Sequence, residues 1–149
     1  MTVWKPSATV AAVVERNGRF LFVEEPIDGR RVLNQPAGHL EPDESLVAAC
    51  RREVLEETAH RFEPTALVGI YRWHYAPKDV TFLRFCFRGR IEGVDARPLD
   101  PQIAALHWLT RDELAARRAE HRSPLVQRCV DDFIAGRAFP LDVFSSEYA

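Results

Sequence analysis

Residues 38–60 read GHLEPDESLVAACRREVLEETAH, and two kinds of local order meet within them. Up to Pro42, counting Pro36 and Gly38, the segment from Asn34 is dense in residues that break regular structure and reads as loop. From Asp43 onward Leu46, Val47, Cys50 and Val54, with Leu55, recur at helical spacing. Asp43 or Glu44 stands where a cap or first-turn acid is favourable. The helix is expected to end between Thr58 and His60. On it, Glu53 and Glu57 lie about 40° apart and Glu56 about 60° to the other side of Glu53. Three carboxylates therefore share one face within about one turn. Arg52 and Glu56 are spaced to pair, and Glu44 projects towards the Arg52 side.

Like charges so close repel unless something neutralises them. Carboxylate oxygens are the ligands a hard divalent cation such as Mg²⁺ prefers. Gly38, in the loop before the helix, can take backbone angles closed to other residues and expose its carbonyl. A loop feeding an acid-rich helix makes a cradle for metal-bound phosphates, where a metal bridges phosphate oxygens and activates water. Taken alone, REVLEE also fits a plain solvated face.

Outward from this helix the chain alternates strand and turn signals. Thr9–Val14 is an apolar run, Arg16-Asn17-Gly18 a turn and Arg19–Glu25 a second run, a pattern that predicts a hairpin. Arg31–Leu33 is a short strand. Ala66–Tyr75 and Val80–Ile91 form another hairpin around Ala76–Asp79, and Ala105–Leu109 a last strand after the Asp95–Pro101 loop. Thr110-Arg111-Asp112-Glu113 matches a capping box, Ser123-Pro124 opens a third helix and Gly136 closes it. The expectation is an α+β chain built as an α/β/α sandwich around a mixed sheet, with residues 1–149 as a single domain.

Composition narrows the function classes. The chain has 149 residues, with 20 Lys plus Arg against 22 Asp plus Glu, a net charge of −2. A nucleic-acid binder would show a basic excess, so nucleic acid is not an expected partner. Hydrophobic residues at 46% and charged ones at 28% exclude a disordered acidic tail. Cys50, Cys86 and Cys129 are widely spaced and odd in number, which fits buried thiols in a reducing compartment. The five histidines form no HxH or HxxxH cluster, so zinc is not expected. No apolar run reaches the ~18 residues of a membrane span, and Met1–Lys5 lacks a signal-peptide pattern. The expected location is the cytoplasm, with no membrane partner.

The array Gly38, five residues, Glu44, seven residues, Arg52-Glu53-Val54, one residue, Glu56-Glu57 resembles the Nudix box. Ala59 stands where the family has glycine and His60 where it has an apolar residue, so both departures fall after the carboxylates. Ala59 must then either adopt strained angles or let the helix run on. The order of elements is similar to the Nudix sandwich across nearly the whole chain. VEEPIDG (23–29), LNQPAGHLEPDESL (33–46), FLRFCF (82–87) and RSPLV (122–126) look like the bacterial NudJ phosphatase group.

The resemblance implies a Mg²⁺-dependent hydrolase of phosphoanhydrides, with Mn²⁺ as the alternative ion. Its substrates would be nucleoside di- and triphosphates or a pyrimidine diphosphate, and the protein a monomer or homodimer. It implies Glu53 and Glu57 as metal ligands, Glu56 as ligand or general base, the Gly38 carbonyl completing the shell, Arg52 orienting Glu56 and Glu44 supporting Arg52. The acid that many relatives carry before the last strand has only Asp100, or the non-titrating Gln102, as counterpart. The competing readings are a nucleotide sensor without catalysis and a pyrophosphatase of other nucleoside-diphosphate-linked or capped substrates.

Further substrate contacts are expected from four residues. Trp73 offers a face for stacking and otherwise packs, together with His74 and Tyr75. Arg84, with Arg88 on the same strand face, offers forked donors for phosphate and is otherwise a surface arginine. Gln35 and His39, with Asn34, bracket the loop and can reach substrate.

Overall fold

The run TVAAVV has no polar face because both of its faces are covered. In the computed structural model, which describes residues 1–145, Ser7–Val13 is strand β1. Ala11 and Val13 enter one apolar core, while Val10, Ala12 and Val14 enter a second on the other side. Successive strand residues point to opposite faces, so an unbroken apolar run belongs between two layers. The second core is closed by helix α1 (Leu46–Thr58) through Val47, Ala49, Cys50 and Val54. The first is closed by α2 (Arg111–Ala116) through Leu114 and by α3 (Leu125–Ile134) through Val126, Cys129 and Val130. The fold is α+β, with helices on both sides of the strands.

The remaining strands are β2 (Glu15–Arg16), β3 (Arg19–Ile27), β4 (Arg30–Asn34), β5 (Ala37–His39), β6 (His60–Tyr75), β7 (Val80–Val94), β8 (Ala105–Leu109) and β9 (Phe139–Pro140). The larger sheet runs β5-β1-β7-β6-β9; β1 and β7 are parallel and the other pairs antiparallel. In the second sheet β3 pairs with β2, β4 and β8.

Two expectations from the sequence do not hold. Asn17 and Gly18, both at positive φ, do turn the chain, but the pairing runs only from Arg16↔Arg19 and Glu15↔Phe20 to the Leu21 N–H, which donates to the Val14 carbonyl at 2.9 Å. β1 does not continue that hairpin; its ladder runs to β7 from Ser7↔Phe82 to Val13↔Arg88. A run buried on both faces needs a partner inside the central sheet, and β7 supplies it. The Asn34–Pro42 segment, read as loop, contains β5. The Ala12 N–H donates to the Pro36 carbonyl at 3.0 Å and the Leu40 N–H to the Ala8 carbonyl at 3.1 Å. Pro36 and Pro42 thus bracket the pairing without interrupting it, because neither has to donate to it.

The cap of α1 is neither Asp43 nor Glu44. Ser45 takes that place, its hydroxyl accepting the Ala48 N–H at 3.0 Å, a contact worth about 1 kcal/mol. Asp43 adopts φ 64° instead, and Glu44 accepts the Glu41 N–H. At the far end Ala59 is left-handed, φ 60° and ψ 10°, a conformation costing an L-residue about 1–2 kcal/mol. Its N–H bonds the Leu55 carbonyl and its own carbonyl accepts the Asp95 N–H at 2.8 Å. His60 fills the usually apolar position as a buried ring, held by the Thr58 carbonyl at 2.7 Å and edge-on to Trp108.

The β6–β7 hairpin starts earlier and ends later than the sequence suggests, with a register shift between Pro64 and Ala66 that lets proline remain in the strand. The Thr110–Glu113 capping box is present, Ser123 accepts the Leu125 N–H, and Gly136 at φ 86° follows α3. All three cysteines are free and buried. No described helix is long and apolar enough to cross a membrane.

Candidate active site

The face of α1 that carries Glu53 and Glu57 points inward. Glu53 is 9% and Glu57 4% exposed, so the reading of REVLEE as a solvated face is overturned. Both carboxylates line a cleft of about 480 Å³. Its other walls come from β5, from Glu25 of β3, from the loop carrying Asp100 and Gln102, and from Trp73, Phe82 and Arg84 of the β6–β7 hairpin.

Burial, with Glu53, Glu25 and Asp100 adding like charge, pushes the Glu57 carboxyl up to about 9, against a single hydrogen bond accepted from the Ala37 N–H at 2.9 Å. Glu53 is also raised, by burial first, although Arg52 donates to it at 2.7 Å. Between the usual 4.5 and about 9 the folded chain keeps a proton on Glu57 that the unfolded chain has released. The unfolded state then binds fewer protons, so stability of the metal-free protein falls as pH rises through that window. One such proton gives a slope of at most about 1.4 kcal/mol per pH unit. Melting in EDTA should therefore move to lower temperature from pH 6 to pH 9, and Glu57→Gln should flatten the trend. An equal slope in the variant would remove Glu57 as its source.

β5 lies directly against these acids. A Cβ added at Gly38 would fall inside the Glu53 carboxylate, so only glycine leaves that carboxylate in the place it occupies. The bonds on either side, Ala12 to Pro36 and Leu40 to Ala8, fix the alternation of the antiparallel ladder. That alternation turns the Gly38 carbonyl to Val10 and turns the main-chain groups of Ala37 and His39 to the opposite edge. There the Ala37 N–H meets Glu57 and the His39 carbonyl meets Arg52. The main-chain oxygen on the Glu57 side is thus that of Ala37, one residue before the glycine.

Arg52 organises the outer side of the acids. It donates twice to Glu44, at 2.8 and 3.0 Å, once to the His39 carbonyl, and to Glu53 and Glu56 at 2.7 and 3.3 Å. These bonds, Glu44 foremost, hold Arg52 above its ordinary basicity and Glu44 below the usual carboxylate range. Glu56 stands off the cleft wall beside Arg52; its carbonyl accepts the Asp100 N–H at 2.9 Å and so fixes the loop that brings Asp100 in.

The opposite wall is cationic. Arg84 is 6% exposed and has no carboxylate partner among the described residues. Its terminal nitrogens donate to Gln35 and Asn34, both at 2.9 Å, and approach the Cys129 sulfur at 3.8 Å. The expectation of a surface arginine does not hold. Gln35 is buried beneath the cleft, donating to the Val126 carbonyl, and does not line it. Trp73 stacks on Phe82 with centroids 5.7 Å apart, and His39 tilts against Phe82. Arg88 turns away and covers Phe133 at 3.9 Å.

Sequence reasoning missed Glu25 and Arg122, which also line the cleft. Glu24 and Glu25 are neighbours on one strand and must face opposite ways. Glu24 pairs with Arg31 and His107, while burial raises the Glu25 carboxyl inside the cleft. Nothing in the dipeptide says which of the two turns inward.

Buried carboxylate oxygens and a main-chain edge form a hard-oxygen donor set that suits a divalent cation. Among the described residues, no three His, Cys, Asp or Glu side chains converge as a ready-made cluster, so the main chain would have to contribute.

Comparison with known proteins agrees with this geometry. A family profile described as the NUDIX domain matches residues 4–129. Phosphatase NudJ of Escherichia coli (strain K12) is 39% identical over 142 residues, spanning 95% of this chain and 92% of that protein. A solved NUDIX hydrolase from Nitrosomonas europaea superposes with a TM-score of 0.92 at 50% identity, covering 95% of this chain and 97% of that one. A MutT NUDIX hydrolase from Burkholderia pseudomallei, with a TM-score of 0.71 at 21% identity over 87% of this chain and 98% of its own, shares the fold. The chain belongs to the Nudix family and is a hydrolase of phosphoanhydrides.

Proposed function

We propose that the protein releases orthophosphate from nucleoside di- and triphosphates, or from a related pyrimidine diphosphate, in a Mg²⁺-dependent hydrolysis carried out by one domain in the cytoplasm. One observation carries this reading. Two buried carboxylates without enough hydrogen bonds share a cleft with Arg84, a buried cation without a carboxylate. An acidic wall that needs a cation and a basic wall that needs an anion suit a metal-bound phosphate. The relatives named as phosphatases point the same way.

Glu53, Glu57 and the Ala37 carbonyl would hold the ion, with Gly38 leaving room for the Glu53 carboxylate. A bound divalent cation supplies charge to the phosphate oxygens and acidifies a water molecule. Arg52 keeps Glu53 and Glu56 in place through its fan of donors. Arg84, fixed by Asn34 and Gln35, binds a phosphate oxygen and offsets charge on the leaving group. Asp100 is the cleft carboxylate outside the α1 pair and Glu25 that can accept the proton of the attacking water. The water oxygen bonds to the terminal phosphorus, the anhydride P–O bond breaks, and the shortened nucleotide leaves with that bond's electron pair.

The test is product identification across CDP, CTP, ADP, ATP and a pyrimidine diphosphate, each with Mg²⁺, with Mn²⁺ and with EDTA. Orthophosphate in the presence of metal is expected. Pyrophosphate as the sole inorganic product, or turnover indifferent to EDTA, would overturn the reading.

A further inference from the structure

Arg122 differs in its surroundings from the other arginine of the cleft. Its guanidinium lies over three rings at once, 4.8 Å from the centroid of Tyr75, 5.4 Å from Trp73 and 6.0 Å from Phe82. Among the described residues it forms no ion pair and donates no side-chain hydrogen bond. A guanidinium whose face rests on aromatic rings is held by cation–π attraction and keeps its N–H edge for another partner.

Both parts of this arrangement are fixed from outside. The Arg122 N–H donates to the Leu33 carbonyl at 2.8 Å, and the neighbouring His121 ring bonds the Leu114 carbonyl at 2.9 Å. Trp73 and Phe82 are cross-strand partners on one sheet face, with Tyr75 tilted beside Trp73 at 5.3 Å. Tyr75 donates to Asp28, which also pairs with Lys78 at 3.4 Å, tying the tip of the β6–β7 hairpin to the β3–β4 turn. Trp73, Phe82 and Arg122 line the same cleft as Glu53 and Glu57.

We propose that Arg122 is a specificity-determining residue that reads the ring end of the substrate. A planar heterocycle lies beside the Trp73–Phe82 stack, and the free N–H edge of the guanidinium donates to acceptor atoms on that ring. The chemical class is a heteroaromatic ring carrying carbonyl or ring-nitrogen acceptors, joined to a diphosphate or longer chain. This rests on the phosphatase reading above for its phosphate end alone. A phosphate role for Arg122 is less favoured, because aromatic faces give a phosphate nothing, whereas a flat ring gains from them. Arg84 already provides a cation in the cleft wall.

The experiment separates ring from phosphate. The full chain, R122A and R122K are titrated with CDP and with inorganic pyrophosphate in EDTA, followed by calorimetry and tryptophan fluorescence. Steady-state kinetics on CTP and inorganic tripolyphosphate run in parallel. R122A should weaken CDP about tenfold, the loss expected for a donor pair left unmade, with pyrophosphate unchanged within about twofold. KM for CTP should rise by a similar factor while kcat stays within about threefold. R122K, which keeps charge but not the planar fork, should recover less than half of the loss on a logarithmic scale. Quenching of tryptophan fluorescence should accompany CDP and not pyrophosphate.

Equal weakening of both ligands would make Arg122 a phosphate contact and overturn the proposal. So would unchanged affinity for both, or wild-type protein that binds CDP no better than pyrophosphate. If wild-type protein discriminates CDP but releases no orthophosphate, the phosphatase reading fails and Arg122 keeps its role. A melting temperature of R122A close to wild type separates the lost contact from a folding defect, and R122K carries the comparison if R122A does not fold.

Discussion

Glu57→Gln should lower kcat/KM on the order of a thousandfold while leaving the fold intact. Glutamine keeps the carbonyl oxygen that accepts the Ala37 N–H at 2.9 Å, so the contact with β5 survives. What disappears is the charge that burial and like-charged neighbours make costly in the metal-free protein. Removing an inner ligand should exceed the roughly 10–100-fold that outer-shell changes cost in metal affinity. In EDTA the variant should melt no lower than wild type at pH 8. Added Mg²⁺ should raise the melting temperature of wild type and not of the variant, because only a state that binds the ion gains from it. Activity within tenfold of wild type, or an undiminished Mg²⁺ shift, would show that the ion sits elsewhere.

Gly38→Ala should separate function from folding in the opposite sense, through sterics rather than charge. The added methyl would coincide with the Glu53 carboxylate, the far end of a flexible side chain. That tip can swing away cheaply, so stability should fall by only about 1–2 kcal/mol. The swing takes the carboxylate out of the cleft, and kcat/KM should drop by about a hundredfold, the scale on which small misplacements act. The sharper check is a double-mutant cycle. Once alanine has displaced it, Glu53→Gln should cost little more, so the two effects should fall far short of adding. Full additivity, or wild-type kinetics in Gly38→Ala, would mean that this close approach has no bearing on catalysis.

How far the sequence could be read depended on whether a feature is local. The helix, its carboxylates and the Arg52–Glu56 pair followed from spacing, because angular position on a helix is fixed by residue number alone. The capping box at Thr110 and the turn at Asn17-Gly18 were legible for the same reason. Partners far apart along the chain were not. Nothing near TVAAVV says that its ladder runs to residues 82–88. Nor does anything near Gly38 show that two prolines bracket a strand. Within the candidate site, Arg84 was placed on the correct strand, but its burial depends on Asn34 and Gln35 about fifty positions earlier. Arg122 depends on rings about forty to fifty positions earlier. Ala59 was flagged as strained or as a helix extension, and only the backbone, bonded to Leu55 and Asp95, decides for strain.

The parallel pairing of β1 with β7 has a consequence for the order in which the site can exist. Joining residues 7–13 to 82–88 closes a loop of about seventy residues, an entropic cost that the local β6–β7 hairpin does not bear. Among the described residues β5 has no sheet partner other than β1. The strand that presents Ala37 and Gly38 to the acids therefore reaches the sheet that carries Trp73, Phe82 and Arg84 only through β1, so the cleft is complete only after that long closure, however early the helix and the hairpin form. The complete cleft is tied to a join across about seventy residues, and freeing the first strand would dismantle the site without touching one of its carboxylates.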